Sequence, residues 1–105
     1  MLRYQAPTCV TPEEPHPYVL EYRYTDAERR AEVRPRHLDY IKALNAEGKV
    51  VMAGPLAGNS GALVVYRAVD DAAVRRMVDE EPYTVEGVTT DARLREWDVV
   101  IPAQA

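Results

Sequence analysis

The chain of 105 residues has a single cysteine, Cys9, which excludes an intrachain disulfide. One free thiol fits a reducing compartment. Histidine is nearly as scarce: the two present, His16 and His37, stand apart from each other and from Cys9. That scatter lacks the ligand spacing of a metal centre, so no metal is expected. There is no glycine-rich phosphate loop and no Gly-x-Ser-x-Gly elbow. Hydride transfer, phosphoryl transfer and serine-hydrolase chemistry are thereby disfavoured, and no cofactor is expected. No stretch approaches the ~18 consecutive apolar residues of a membrane helix. The opening "MLRYQAPTCVTPEEPHP" has neither an apolar signal core nor a basic leader. No run of lysine or arginine stands out and the formal net charge is −4, which argues against nucleic acid and anionic membranes as partners. These absences predict a soluble, cytoplasmic protein.

What is present suits one folded domain. Hydrophobic residues make up 47% of the chain, and a chain of this length buries roughly two thirds of its unfolded surface. Four prolines, Pro7, Pro12, Pro15 and Pro17, crowd the beginning. Proline removes an amide donor and fixes φ, so regular structure is not expected there. Residues 1–16 are therefore predicted to be an extension outside the core, and residues 17–102 the domain.

"YVLEYRY", Tyr18 to Tyr24, is rich in β formers and reads as a first strand. Tyr18, Leu20, Tyr22 and Tyr24 share one face, and Val19, Glu21 and Arg23 the other. Thr25 or Asp26 caps a helix that Pro35 is expected to break or kink near Val33–Arg34. The helix resumes with Leu38, Ile41 and Leu44 as its apolar stripe and ends at Gly48. "KVVMAGPLA", Lys49 to Ala57, and "ALVVYRAV", Ala62 to Val69, form a hairpin around "GNSG". Asp70 or Asp71 caps a second helix with Val74, Met77 and Val78 buried, and Pro82 stops it. "YTVEGV" turns the chain. "TTDARLREWDVVI" is the last strand, with Trp97, Val99 and Ile101 on one face.

The resulting order, β-α-β-β-α-β, is the α+β, ferredoxin-like split βαβ arrangement: a four-stranded antiparallel sheet with two helices on one face. The second and third strands are apolar on both faces, Val50, Met52 and Leu56 alternating with Val51 and Ala53, and Leu63 and Val65 with Val64 and Tyr66. A sheet wet on one side would alternate apolar with polar. A second copy packed sheet to sheet is the simplest cover, so a homodimer is expected.

Four motifs in this order resemble the YCII-related (YciI-like) family of the dimeric α+β-barrel superfamily. "RPRHL", Arg34 to Leu38, matches an Arg-x-x-His-Leu on the first helix. "EGKVVMAGPL", Glu47 to Leu56, matches a stretch ending in Ala-Gly-Pro. "VVYRAVDDAAV" matches the third strand and second-helix start. "EEPYTVEGV", Glu80 to Val88, matches Asp-Pro-Tyr/Phe followed by Gly-Val or Gly-Leu. The similarity spans about Tyr18 to Ile101. The chain departs from the pattern in carrying Glu81 where aspartate is usual, and in a short "LAGNSG" loop that leaves a pocket more open.

The resemblance implies a site built from His37 and Glu81. The residues agree in part. Imidazole exchanges protons near neutral pH, and a neighbouring carboxylate can fix its tautomer. Arg34, one turn before His37, can hold an anionic group. His37 lies beside Leu38 and Ile41, at the edge of the buried stripe, where a cavity between the helix and the sheet would meet solvent. Tyr83 is a candidate pocket lining and donor, with Gly54 and Pro55 shaping the pocket wall. Each also has a plain structural reading: a solvated helix histidine, a carboxylate bonded locally before proline, a packed core tyrosine, a strand end. Asp39 reads as surface. Glu21 and Arg23 are unusual charges for a central strand. The expected function is a cofactor-free lyase or isomerase acting on a small organic, aromatic or lactone-like substrate. The alternative is a non-enzymatic module holding a small ligand in the same barrel cavity.

Overall fold

The computed structural model describes residues 14–103. Residues 1–13 of the expected extension lie outside the described residues. The elements are β1 (His16–Tyr24), α1 (Ala27–Ala46), β2 (Val50–Pro55), a 3-10 turn (Ala57–Asn59), β3 (Gly61–Ala68), α2 (Asp71–Glu80), α3 (Pro82–Val85) and β4 (Thr89–Glu96). The four strands form one antiparallel sheet in the order β2-β3-β1-β4. This is the ferredoxin-like arrangement, with β1 and β3 central. It carries one more helix than expected, because "PYTV" closes a single helical turn inside the segment read as a plain turn.

The core follows from the period of two along the central strands. Tyr18, Leu20 and Tyr22 of β1 and Ala62, Val64, Tyr66 and Ala68 of β3 are buried, together with Val33, Ile41 and Leu44 of α1, Val74 of α2 and Tyr83 of α3. The two strands approach closely at their ends: a Cβ on Gly61 would stand 2.1 Å from the Tyr22 carbonyl oxygen. Only glycine can start β3 at that position.

Asp26 begins α1 by accepting a hydrogen bond from the Arg29 amide at 3.0 Å. The break expected at Pro35 does not occur, for α1 runs through it unbroken. Proline costs the helix one hydrogen bond. Buried Val33 on one side, and Ile41 and Leu44 on the other, dock both halves onto the sheet and outweigh that loss.

Two strands differ from expectation in ways that matter for the faces. The β2–β3 register shifts between Val50 and Met52, a bulge at Val51. Val50 then pairs with Tyr66 on the core side, while Met52 pairs with Val65 on the other. The two were expected on the same face, and Leu56 lies beyond the strand. The last strand ends at Glu96 instead of continuing to Ile101. Trp97 donates its amide to the Pro17 carbonyl at 2.9 Å. Beyond it β1 has no more strand to pair with, and Trp97, Val99 and Ile101 are exposed.

The helix-free face is divided. Its β2–β3 half presents Met52, Leu63 and Val65. Its β1–β4 half presents Glu21 and Arg23 beside Arg93 and Arg95, with Glu21 directly opposite Arg93. A second bulge, with Asp91 at φ 54°, accommodates the register shift between Glu21 and Arg23. Two shallow concavities open on this charged half. One, of about 250 Å³, is lined by Val19, Glu21, Arg93 and Arg95. The other, of about 410 Å³, is lined by Glu21, Arg23, Asp91, Ala92 and Arg93. No helix among the described residues is long and apolar enough to cross a membrane.

Candidate functional site

Residues 30, 34, 37, 41 and 44 fall on one stripe of α1 by their spacing of three and four. Ile41 and Leu44, the C-terminal part of that stripe, are buried. The N-terminal part is Arg30, Arg34 and His37. A single helix face thus passes from apolar to cationic, and His37 sits at the transition.

Glu81 comes to it from the α2–α3 junction. Pro82 opens α3, and Glu81 is its N-cap. One carboxylate oxygen, Oε2, accepts the Tyr83 amide at 2.6 Å. The other, Oε1, lies 2.6 Å from His37 Nδ1. The side chains are 14% (His37) and 4% (Glu81) exposed. Both the local and the paired readings of Glu81 therefore hold at once, one oxygen each. Tyr83 closes the arrangement: its ring lies parallel to the imidazole, 5° between planes and 3.8 Å between centroids. One face of His37 is covered by that ring. Nε2 makes no hydrogen bond among the described residues.

Around this group stands a wall of tyrosines. Tyr24 meets Tyr83 edge-on with centroids 6.1 Å apart, and Tyr22 meets Tyr24 at 5.8 Å. Tyr40 donates to the Met77 carbonyl at 2.7 Å. The Tyr66 hydroxyl is buried with no partner among the described residues. Burial, reinforced by the Glu81 charge, pushes the Tyr22 and Tyr66 hydroxyls well above the ordinary phenol range. Tyr40 is pushed up to about 12, by burial and then by Glu80 and Glu81. Burial also raises Tyr24, and the Arg30 charge works against it.

Those raised values predict alkaline instability. A group whose folded pKa exceeds its unfolded one stabilises the fold below the unfolded value, and that contribution is lost as pH rises through the folded value. The fold should hold to about pH 10, the ordinary tyrosine range, and then weaken toward the Tyr40 value of about 12 and beyond. Phenolate absorbance and melting temperature, followed together between pH 9 and 12.5, should change in concert. Full tyrosine ionisation near pH 10 in a still-folded protein would refute the buried wall.

The sequence-predicted residues are distributed unevenly. His37, Glu81 and Tyr83 meet directly. Tyr83 touches the imidazole through its ring face. Arg34 lies one turn from His37 with its side chain exposed. Gly54 and Pro55 are on the exposed edge strand β2, opposite Leu63 and Ala62, and no hydrogen bond or ring contact of the His37–Glu81 pair reaches them. Where a cavity between α1 and the sheet was expected, Tyr22, Tyr66 and Tyr83 are buried in the core, with Tyr24 and Tyr40 packed against it. Both concavities described above lie on the opposite face of the sheet. The sequence reading passed over Arg30, which is 3.7 Å above the Tyr24 ring. Its signal was the Arg30–Arg34–His37 spacing of four and three. Glu86, at the end of α3, ties that turn to α1 through Arg29 and, at 3.3 Å, Arg36.

Comparison with known proteins gives the same family and fold. The model of the YCII-related domain matches residues 13–98. Protein YciI of Escherichia coli O6:H1 is 32% identical, over 58% of this chain and 72% of the relative. Protein YciI of Shigella flexneri matches to the same extent. Among solved structures, 5-chloro-2-hydroxyhydroquinone dehydrochlorinase (TftG) of Burkholderia phenoliruptrix, in complex with 2,5-dihydroxybenzoquinone, superposes with a TM-score of 0.66. It is 22% identical over 77% of this chain and 93% of its own. A protein of Bacteroides thetaiotaomicron classed with the antibiotic biosynthesis monooxygenases superposes with a TM-score of 0.61, at 15% identity over 90% of this chain and 98% of its own. At these identities the two structures speak for the ferredoxin-like α+β fold alone.

Proposed function

The chain belongs to the YCII-related family, and from that premise we propose that it is a cofactor-free enzyme of lyase or isomerase type acting on a small organic molecule. The observation that carries this reading is the 2.6 Å contact between His37 Nδ1 and Glu81 Oε1, away from bulk water. Glu81 fixes the tautomer with the proton on Nδ1, which leaves the Nε2 lone pair as the proton acceptor. Its other oxygen is held by the Tyr83 amide, so the carboxylate cannot swing away. The stacked Tyr83 ring fixes the plane of the imidazole.

In the reaction so drawn, Nε2 takes a proton from a C–H or O–H of the substrate. The electron pair of the broken bond moves into the substrate. In an elimination it expels a leaving group, which departs with its own bonding pair. In an isomerisation Nε2 returns the proton to a different atom. Either way Glu81 faces the imidazolium that forms, and Arg34 holds the charged end of the substrate.

The quinone-handling structural neighbour supplies the first compounds to try. 5-Chloro-2-hydroxyhydroquinone, other halogenated hydroquinones and small lactones should be offered to the protein while chloride release and ring absorbance are followed. Turnover that disappears in His37→Gln supports the enzyme reading. Binding without turnover, unaffected by His37→Gln, would replace it with the second reading: a ligand-binding module whose cavity is the charged face of the sheet. The two concavities there favour that alternative.

The proposed enzyme works as a cytoplasmic homodimer joined sheet to sheet. Met52, 59% exposed, and Leu63 motivate this, since an apolar half-face open to water is a natural contact. A joint of this kind should bury on the order of 2,000 Å² in total. Sedimentation at micromolar concentration should give a dimer, and Leu63→Arg should shift it to monomer. A well-folded wild-type monomer would end the idea.

A further inference from the structure

We propose that Arg30 and Arg34 together form an anion-binding subsite next to His37, so that the molecule on which the site acts is a small organic anion: a carboxylate, a phenolate or an enolate. The inference rests on the reading of His37 as the proton-transfer group and adds the class of substrate to it.

The arginines of α1 divide into two kinds. Arg29 and Arg36 face Glu86, and Arg29 also meets Glu32 at 2.9 Å. Their charges are neutralised within the fold. Arg30 and Arg34 form no ion pair among the described residues, although the chain has 17 acidic residues to 13 basic ones. Like charges four apart on a helix repel. The fold relieves such repulsion for Arg29 and Arg36, yet these two have no acidic partner among the described residues, on the stripe that ends at His37.

Arg30 is also held in place. Its guanidinium carbon lies 3.7 Å from the centre of the Tyr24 ring. One terminal nitrogen donates to Asn59 Oδ1 at 3.2 Å, and Nε is buried without a partner among the described residues. Arg34, a turn later, is open to solvent. A continuous run of ring contacts leads from Arg30 through Tyr24 and Tyr83 to the imidazole. An anionic group held by both arginines lies along that wall, and the rest of the molecule extends toward Nε2. The placement suits the chemistry. Removing a proton from the substrate adds negative charge to it, and the half-buried, ring-stacked Arg30, joined by Arg34 from the solvent side, favours that charge.

The test compares 2-hydroxybenzoate with neutral 2-hydroxybenzamide by calorimetry or amide chemical shifts. Wild type, Arg30→Gln, Arg34→Gln, Arg30→Lys and, as a control, Arg36→Gln are each measured. Wild type should prefer the anion by roughly 10-fold or more. Arg30→Gln and Arg34→Gln should each remove most of that preference, Arg30→Lys should keep part of it, and Arg36→Gln should keep all of it. Should Arg30→Gln fail to fold, Arg34→Gln and Arg30→Lys decide. Equal affinity for acid and amide in wild type, no binding of either, or an equal loss in Arg36→Gln overturns the subsite. His37→Gln separates the two ideas. It should preserve the anion preference while abolishing turnover. Retained turnover there fails the acid–base reading alone, and a missing anion preference fails the subsite alone.

Discussion

His37→Ala is expected to lower turnover by roughly 10²–10⁴-fold, the usual worth of a positioned acid–base group. The same change should also reduce stability, so alanine is not a sufficient test. It uncovers one face of the buried Tyr83 ring, stacked at 3.8 Å, and leaves Glu81 with one bond instead of two. Losing a partner of a buried polar group costs about 1–3 kcal/mol. His37→Gln separates the effects. Its amide nitrogen can still donate to Glu81 Oε1, so most of the fold energy returns, but it cannot take up and return a proton. The expected pattern is a large loss of turnover in both variants and a large loss of stability in alanine only. Urea denaturation read beside initial rates decides it. A glutamine variant with wild-type rate would make His37 a structural residue, stacked between helix and wall for packing alone.

The legibility of this fold in the sequence was uneven for physical reasons. The alternation in "YVLEYRY" placed Tyr18, Leu20 and Tyr22 in the core, because a central strand with one helix-covered face leaves little choice. The helix caps at Asp26 and Asp70 were equally local. What failed depended on distant partners. The end of the last strand was set by where β1 begins, which composition near Trp97 cannot reveal. The Val51 bulge put Val50 and Met52 on opposite faces because register belongs to a strand pair. Pro35 misled because its local cost is real but smaller than the docking of the helix around it. At the site, the spacing of Arg34 and His37 was visible, and the family resemblance joined Glu81 to them across 44 positions. Arg30 was readable in principle, on the same stripe. It was passed over because an arginine near a helix start ordinarily faces water.

Glu81 should be the more sensitive half of the pair, since its two oxygens do two jobs. Glu81→Ala removes the cap of α3 and the partner of His37 together. Losing the buried hydrogen bond to His37 costs about 1–3 kcal/mol and a lost cap about 1, so a total of roughly 2–4 kcal/mol is expected in urea denaturation. Glu81→Gln is the sharper variant. Its one carbonyl oxygen must accept the Tyr83 amide, since an NH₂ group cannot. The NH₂ group then faces His37 Nδ1 and donates to it. That contact forces the imidazole proton onto Nε2, the nitrogen that has to be free to act as a base. The fold should therefore survive to within about 1 kcal/mol while turnover falls nearly as far as in His37→Gln. Nitrogen chemical shifts of the His37 ring report the change of tautomer directly. A Gln variant with the proton still on Nδ1, or with full activity and the proton on Nε2, would show that Glu81 is a helix cap that happens to touch a histidine.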